Sequence, residues 1–490
     1  MSAPLVPLAG NGPLATSTLE TAELVSETGR QVVFGLAGVC LLALVVWALV
    51  WIVRYVRADP LTRVSIRQEV RIRQGWARLA KMTGLSVIDR TPTLLDSLST
   101  PQGQEPKPRE HVPKITTKSD QFGVIVHAKL LPNVGLEEFQ KKARFLAAAW
   151  KCVRVSVLAD GPGRVVIRAV RSDPLTVPAT FKPSGKPPAS VESWPLGVDE
   201  YAAEVAIRLA NIPGVSVAGL PGYGKTMMIN GLICQFAPSA AVQFAVADGK
   251  VSTADEGDYA DVTDRLFAFV GDDLTEANAL FKDMVALRRA RTSLIKRVRR
   301  TANIWKVGVD KDWPLVVLII DEAQTFFRDH KGNDRESKRL AALAADNARL
   351  VEDLVKKGRS AGMLVILATQ KATGDAIPTF IRDVCPVGMS FAQKTADAAV
   401  AALGEDIRNW PEANPVSLQD PAYVGVASMV TQGREGFTRV RMPLVDEADA
   451  ARIAQQTANL AVHPTELLRK LAARTGVSLD SVLDMGRDAA

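Results

Sequence analysis

The chain has 490 residues, 47% of them hydrophobic and 23% charged, with a net charge of +7 and an isoelectric point near 9.2. That length allows a large core and about two or three domains, and the mild basic balance suits nucleic acid or an anionic membrane surface. The cysteines, Cys40, Cys152, Cys234 and Cys385, include no CxxC pair, which argues against a disulfide framework or a cysteine zinc site and fits a reducing compartment.

Residues 1–30 are polar and rich in Ala and Pro, and read as a tail. Val32 to Val53 then carries no charge and is long enough to cross a ~30 Å hydrocarbon core as one helix, so 31–53 is expected to span a membrane. Trp47 and Trp51 lie toward its C-terminal end, where an interface is expected. A cleavable signal peptide fits poorly: the apolar run is too long, begins too late, and meets Arg54 and Arg57 instead of a small-residue cleavage site. Arg54, Arg57, Arg63, Arg67, Arg71 and Arg73 all follow the span, which places the N-terminus outside and the remainder in the cytoplasm. Residues 54–90 read as a basic amphipathic helix, either a solvated face or a surface for anionic lipid or DNA. Residues 91–120 read as a linker, 121–175 as a small α/β domain, and the proline-rich stretch 176–194 as a second linker.

From 195 to 445 apolar strands alternate with helices, which predicts a mostly parallel sheet covered on both faces. Strands are expected at 215–218, 242–247, 315–320, 364–369 and 387–391, and long helices at 273–301 and 334–357. The first of those helices carries Arg288, Arg289, Arg291, Lys296, Arg297, Arg299 and Arg300, as a solvated face or as the lining of a DNA channel or subunit contact.

Within this region Gly219, Leu220, Pro221, Gly222, Tyr223, Gly224, Lys225 and Thr226 form a complete GxxxxGK[ST] loop after an apolar strand. Its glycines allow backbone N–H groups to turn inward as a phosphate cradle at the start of a helix. Lys225 is expected on the β- and γ-phosphates and the Thr226 hydroxyl on Mg²⁺. A second apolar strand ends in Asp321 and Glu322, the first a Mg²⁺ ligand and the second a group to polarise the attacking water. Together they describe a site for ATP and Mg²⁺. Gln370 ends the strand after Lys357-Gly358-Arg359, where its amide is expected to sense the γ-phosphate. Arg359 is a candidate arginine finger toward a neighbouring subunit, or a surface ion pair.

These pieces resemble the FtsK/SpoIIIE family of DNA translocases: the GLPGYGKT loop, Asp248-Gly249-Lys250, VVLIIDEAQ, GRSAGMLVILATQ, and Ile381 to Phe391 before Lys394-Thr395-Ala396-Asp397. The resemblance covers about 120–445 and is closest to the conjugative TraB/TraSA type of actinobacteria. It implies an α/β, RecA-like P-loop NTPase motor, a hexamer on double-stranded DNA, anchored at the cell membrane and acting in conjugative transfer. Residue by residue, it implies nucleotide and Mg²⁺ binding by Lys225 and Thr226, catalysis by Asp321 and Glu322, sensing by Gln370 and action in trans by Arg359. Chromosome partitioning, or a protein-export ATPase of the type VII secretion kind, are the alternatives. The tail at 446–490 departs from the family's winged-helix module. Leu467 to Leu483 reads either as a helix-turn-helix or as a packing helical hairpin, and Asp480, Asp484 and Asp488 disfavour contact with phosphates.

Overall fold

The computed structural model describes residues 38–39, 41–42, 45–46, 48–91, 108–370, 377–430 and 436–476. The chain divides after Arg171 into two compact units. Ten of the 22 residues from Val32 to Val53, the run expected to span a membrane, lie outside the described residues. Its described end, 48–53, is helical with Val50, Ile52 and Val53 exposed. Among the described residues no helix is long and apolar enough to cross a membrane.

The first unit opens with helix α1, Pro60–Thr83. Asp59 caps its start by accepting from Thr62 N at 3.0 Å, proline supplies the first-turn φ, and Gly84 closes it in the left-handed region at φ 74°. Beyond it lie the short pair β1 (Val87–Asp89) and β2 (Arg109–His111). A four-stranded antiparallel sheet follows in the order β3 (Ile115–Ser119), β4 (Gly123–Lys129), β6 (Arg164–Val170), β5 (Arg154–Ala159). Helix α2, Leu136–Trp150, covers it with α1. Ile72, Trp76 and Ala80 from α1 meet Val124, Val126, Phe139, Leu146 and Ile167 in one core. The small domain therefore starts near Pro60, not at 121. The described part of the expected linker, 108–120, contains the exposed strand β2 and the alternating strand β3, with Val112 and Ile115 packed on that core.

The second unit is built on a ten-stranded sheet. One half is parallel, in the order β11 (Leu266–Val270), β10 (Val242–Asp248), β12 (Leu315–Asp321), β13 (Met363–Thr369), β9 (Gly214–Ala218), β14 (Val387–Ser390). The other half is antiparallel, β15 (Val426–Val430), β16 (Phe437–Arg441), β7 (Ser193–Asp199) and β8 (Glu204–Arg208). The central strands β9, β10, β12 and β13 are buried throughout, which is why they read as unbroken apolar runs. Helices α3 (Lys225–Phe236), α4 (Leu274–Arg299), α5 (Arg335–Lys357) and α6 (Ala396–Leu403) are the remaining long connections, followed by α7 (Glu447–Thr457) and α8 (Pro464–Arg474).

Three expectations change in this unit. The stretch 176–194 is not a free linker: Leu175 is fully buried, Phe181 N donates to Leu444 O and Leu444 N to Ala179 O, each at 2.8 Å, and Ser193 already begins β7. The arginines of α4 are not all solvated. Arg288 pairs with Asp353 at 2.7 Å, and Arg291 donates to Pro314, Ala361 and Gly362 carbonyls while stacking on Trp313. In the tail, Ile453, Leu468, Leu471 and Ala472 enter the core of the unit, as a packing helix requires. The remainder of the candidate helix-turn-helix lies outside the described residues.

Candidate functional site

Parallel strands in an open α/β sheet leave a crevice at their C-terminal ends. At the end of β9, Gly219 N donates to Thr369 O at 3.2 Å and Leu220 N to Ala392 O at 2.9 Å, so the loop is tied to the strands on both sides. A Cβ on Gly219 would stand 2.6 Å from the Phe391 Cβ, so only glycine passes there. Gly222 and Gly224 adopt φ 77° and 97°, the left-handed region that turns the loop back onto the start of α3. Tyr223 clamps the outer side, its hydroxyl donating to Gln419 O at 2.8 Å and its carbonyl accepting from Gly425 N at 3.0 Å. Leu220 and Pro221 line the crevice with Lys225 and Thr226 at the first turn of α3.

Strand β12 brings Asp321 to this turn. Its Oδ2 accepts from Thr226 Oγ1 at 3.1 Å, Lys250 Nζ at 3.2 Å and the Tyr259 hydroxyl at 3.1 Å. Burial opposes its ionisation, yet the Lys225 and Lys250 ammoniums outweigh burial and hold the carboxyl below its ordinary value. Burial draws Lys225 below the ordinary lysine range, against the pull of Asp321. Asp248, at the end of β10, is pushed up to about 6 by burial and by the neighbouring Asp321.

Glu322 adopts φ 51°, a left-handed conformation that costs a non-glycine residue about 1 kcal/mol. Its N–H donates to Asp321 Oδ1 at 2.8 Å, and Ala323 N donates to Ala368 O at 3.0 Å, which fixes the corner. Its Oε1 accepts from Gln324 Nε2, while its buried Oε2 has no partner. Burial raises the Glu322 pKa, with Lys225 pulling the other way. A carboxylate with one oxygen idle and an elevated pKa is equipped to take a proton from water.

Gln370 follows β13 directly and lines the same cavity as Lys225 and Thr226. Arg359 does not join them within this chain. It is exposed in the turn before β13, its carbonyl accepting from Trp305 Nε1, a strand length of roughly 20 Å from the phosphate loop.

The cavity has a volume of 640 Å³. Opposite the loop it is walled by Pro178, Ala179, Val424, Met442 and Leu444, an apolar surface suited to a flat heterocycle. Arg441 binds this wall together from beneath, donating to the carbonyls of Leu175, Ala422 and Val424. Sequence reasoning missed both this wall and the role of Lys250. The wall is assembled from three distant, featureless segments, whereas Asp248-Gly249-Lys250 at a strand end was a usable signal. Thr226 and Asp321 are the oxygen pair that fits Mg²⁺. Among the described residues no group of three His, Cys, Asp or Glu gathers to hold a metal.

No family profile matches the chain. It is 26% identical over 280 residues to the DNA translocase FtsK of Streptococcus pyogenes serotype M1, an alignment covering 53% of this chain and 33% of that protein. To the FtsK of Lactococcus lactis subsp. cremoris it is 27% identical over 267 residues, 50% of this chain and 33% of that one. The alignments thus span about a third of these relatives' own length. Among solved structures, the pCW3 conjugation coupling protein TcpA in a monomer form with ATPγS superposes with a TM-score of 0.46 at 15% identity, covering 82% of this chain and 99% of that one. The cytoplasmic domain of the type VII secretion ATPase EccC of Thermomonospora curvata gives 0.43 at 17% identity, covering 59% and 33%. Over about half its length, then, this chain is similar in sequence to the DNA translocases of the FtsK family.

Proposed function

We propose that the chain is an ATPase that moves double-stranded DNA, acting as a membrane-anchored ring during conjugative transfer. The observation that carries the hydrolytic part is the meeting of Lys225, Thr226 and Gln370 on one cavity, with Asp321 bonded to Thr226, Glu322 within the field of Lys225, and a glycine-built cradle facing an apolar wall. The FtsK similarity supports DNA as the substrate.

The proposed chemistry follows from these positions. The backbone N–H groups of the loop and the N-terminus of α3 bind the phosphates, and Lys225 neutralises the β- and γ-oxygens. Thr226 and Asp321 would hold Mg²⁺, which offsets charge on the phosphate oxygens. The idle Oε2 of Glu322 would accept the proton of the attacking water, and the amide of Gln370, which lines the cavity, would sense the γ-phosphate. Arg359 is proposed to act across a subunit interface, consistent with its exposure and its distance from its own loop. A helix over 31–53 is proposed to anchor the chain in the cell membrane with the N-terminus outside and the motor in the cytoplasm, supported by the arginines that follow it.

The test is ATP turnover by the full chain with and without linear duplex DNA. Duplex DNA is expected to raise turnover, and Lys225→Ala to abolish nucleotide binding in both conditions. Turnover indifferent to duplex DNA removes the DNA-motor reading, and full turnover in Lys225→Ala removes the site assignment.

A further inference from the structure

We propose that the groove between α1 and the C-terminal end of α2 is a binding site for a single anionic phospholipid with a hydroxylated headgroup. The cavity has a volume of 440 Å³, within the range that holds a small ligand. Its rim is basic: Arg67, Arg71 and Arg78 from α1, Lys151 just after α2, and Arg171 at the end of the unit. No carboxylate lines it. The one acidic side chain on this stretch of α1, Glu69, turns to the opposite face, where Arg54, Arg73 and Ser119 occupy it. Arg71, Arg78 and Lys151 have no ion-pair partner among the described residues, so this positive charge is not consumed internally.

The floor is apolar, made by Ile72, Leu79, Met82, Ala149 and Trp150. Met82 is 74% exposed there, an open hydrophobic surface beside free guanidiniums. A phosphate-bearing amphiphile matches both halves, its charge on the rim and its acyl chain on the floor.

Two orphaned polar atoms sharpen the choice. Gln68 is 8% exposed, its Nε2 donates to Trp150 O at 2.9 Å, and its buried Oε1 has no partner. Arg171 Nε is likewise buried without an acceptor. Both residues line the groove. Buried polar atoms are rarely left idle, and this pair asks for a hydroxyl donor beside an anionic acceptor. A glycerol phosphate headgroup offers both on adjacent atoms. Nucleic acid phosphate would satisfy the rim and leave the apolar floor uncovered. The inference relies on the membrane-anchoring reading for its supply of lipid, not for the chemistry of the groove.

The test uses the full chain in a non-ionic detergent, titrated calorimetrically without ATP or DNA, so its outcome is independent of the translocase reading. The probes are dihexanoyl-phosphatidylglycerol, dihexanoyl-phosphatidylcholine, dihexanoyl-phosphatidic acid, glycerol 3-phosphate and a short DNA duplex. Phosphatidylglycerol is expected to bind roughly tenfold more tightly than phosphatidylcholine or glycerol 3-phosphate. The double variant Arg71→Ala with Arg78→Ala should lose roughly tenfold of that affinity while keeping the ATP turnover of the unaltered chain. Gln68→Leu should narrow the preference for phosphatidylglycerol over dihexanoyl-phosphatidic acid, which lacks the headgroup hydroxyls. Equal binding of phosphatidylcholine, equal binding of glycerol 3-phosphate, or unchanged affinity in the double variant overturns the proposal. So does displacement of the lipid by the duplex, which would assign the groove to nucleic acid.

Discussion

At the scale of single residues, the crowding around Asp321 would set how the proposed site takes up Mg²⁺. Lys250 Nζ lies 3.2 Å from Asp321 Oδ2 and 3.5 Å from Thr226 Oγ1, the same two oxygens that fit Mg²⁺. On the proposed reading the ammonium would have to leave before Mg²⁺ could be held there, and Asp258 Oδ2, 3.6 Å from Nζ, is a place for it to go. A charge-assisted hydrogen bond contributes about 1.5–3 kcal/mol, so Lys250→Met is expected to lower the Mg²⁺ concentration needed for half-maximal nucleotide binding by roughly tenfold. Fluorescent-nucleotide titrations at graded Mg²⁺ check this, and an unchanged Mg²⁺ dependence would show that Lys250 does not compete. The phosphate loop and the Asp321-Glu322 pair were legible in the sequence because backbone geometry forces glycine, lysine and acid into fixed spacings. For Lys250 the strand-end run Asp248-Gly249-Lys250 was a signal without a role, and Tyr259 had none, because their approach to Asp321 depends on how β10 and the turn after it pack in three dimensions.

At the scale of elements, a buried arginine of α4, Arg291, holds the entry to two central strands in place. Arg291 is fully buried, donates to three carbonyls and stacks over Trp313, so it joins α4 to the turns that lead into β12 and β13. Replacing it by methionine keeps much of the volume but strands those carbonyls, each at a cost of about 1–3 kcal/mol. Arg291→Met is therefore expected to shift the denaturant midpoint of the second unit by several kcal/mol in stability, whereas Arg297→Met, on the exposed side of the same helix, should leave it nearly unchanged. Equal effects from the two would refute the distinction between them. The five parallel strands expected from apolar runs are all present near their expected bounds. Strand β11 and the antiparallel half went unread because, as in the pair 426–430 and 437–441, no distinctive turn signal marks their strands. The stretch 176–194 looked like a linker because prolines dominate it, yet prolines also suit an extended segment laid along a sheet, and there it helps wall the cavity.

At the scale of the whole molecule, the proposed ring makes a prediction that a single chain cannot satisfy. Arg359 is remote from its own phosphate loop, so any role in hydrolysis must be exercised on a neighbour's nucleotide. Mixing Arg359→Ala chains with Glu322→Ala chains, each inactive alone, is expected to restore part of the turnover at intermediate ratios. Linear loss with no recovery at any ratio would place Arg359 outside the site. The central claim is that hydrolysis at Lys225, Glu322 and Gln370 moves double-stranded DNA, and displacement of a triplex-forming oligonucleotide from a linear duplex reads that movement directly. The unaltered chain is expected to strip the third strand only with ATP and Mg²⁺ present, with a lag that grows with the duplex length ahead of it, and Glu322→Gln is expected to bind the duplex and strip nothing. DNA-stimulated hydrolysis with no displacement at any duplex length would contradict the claim.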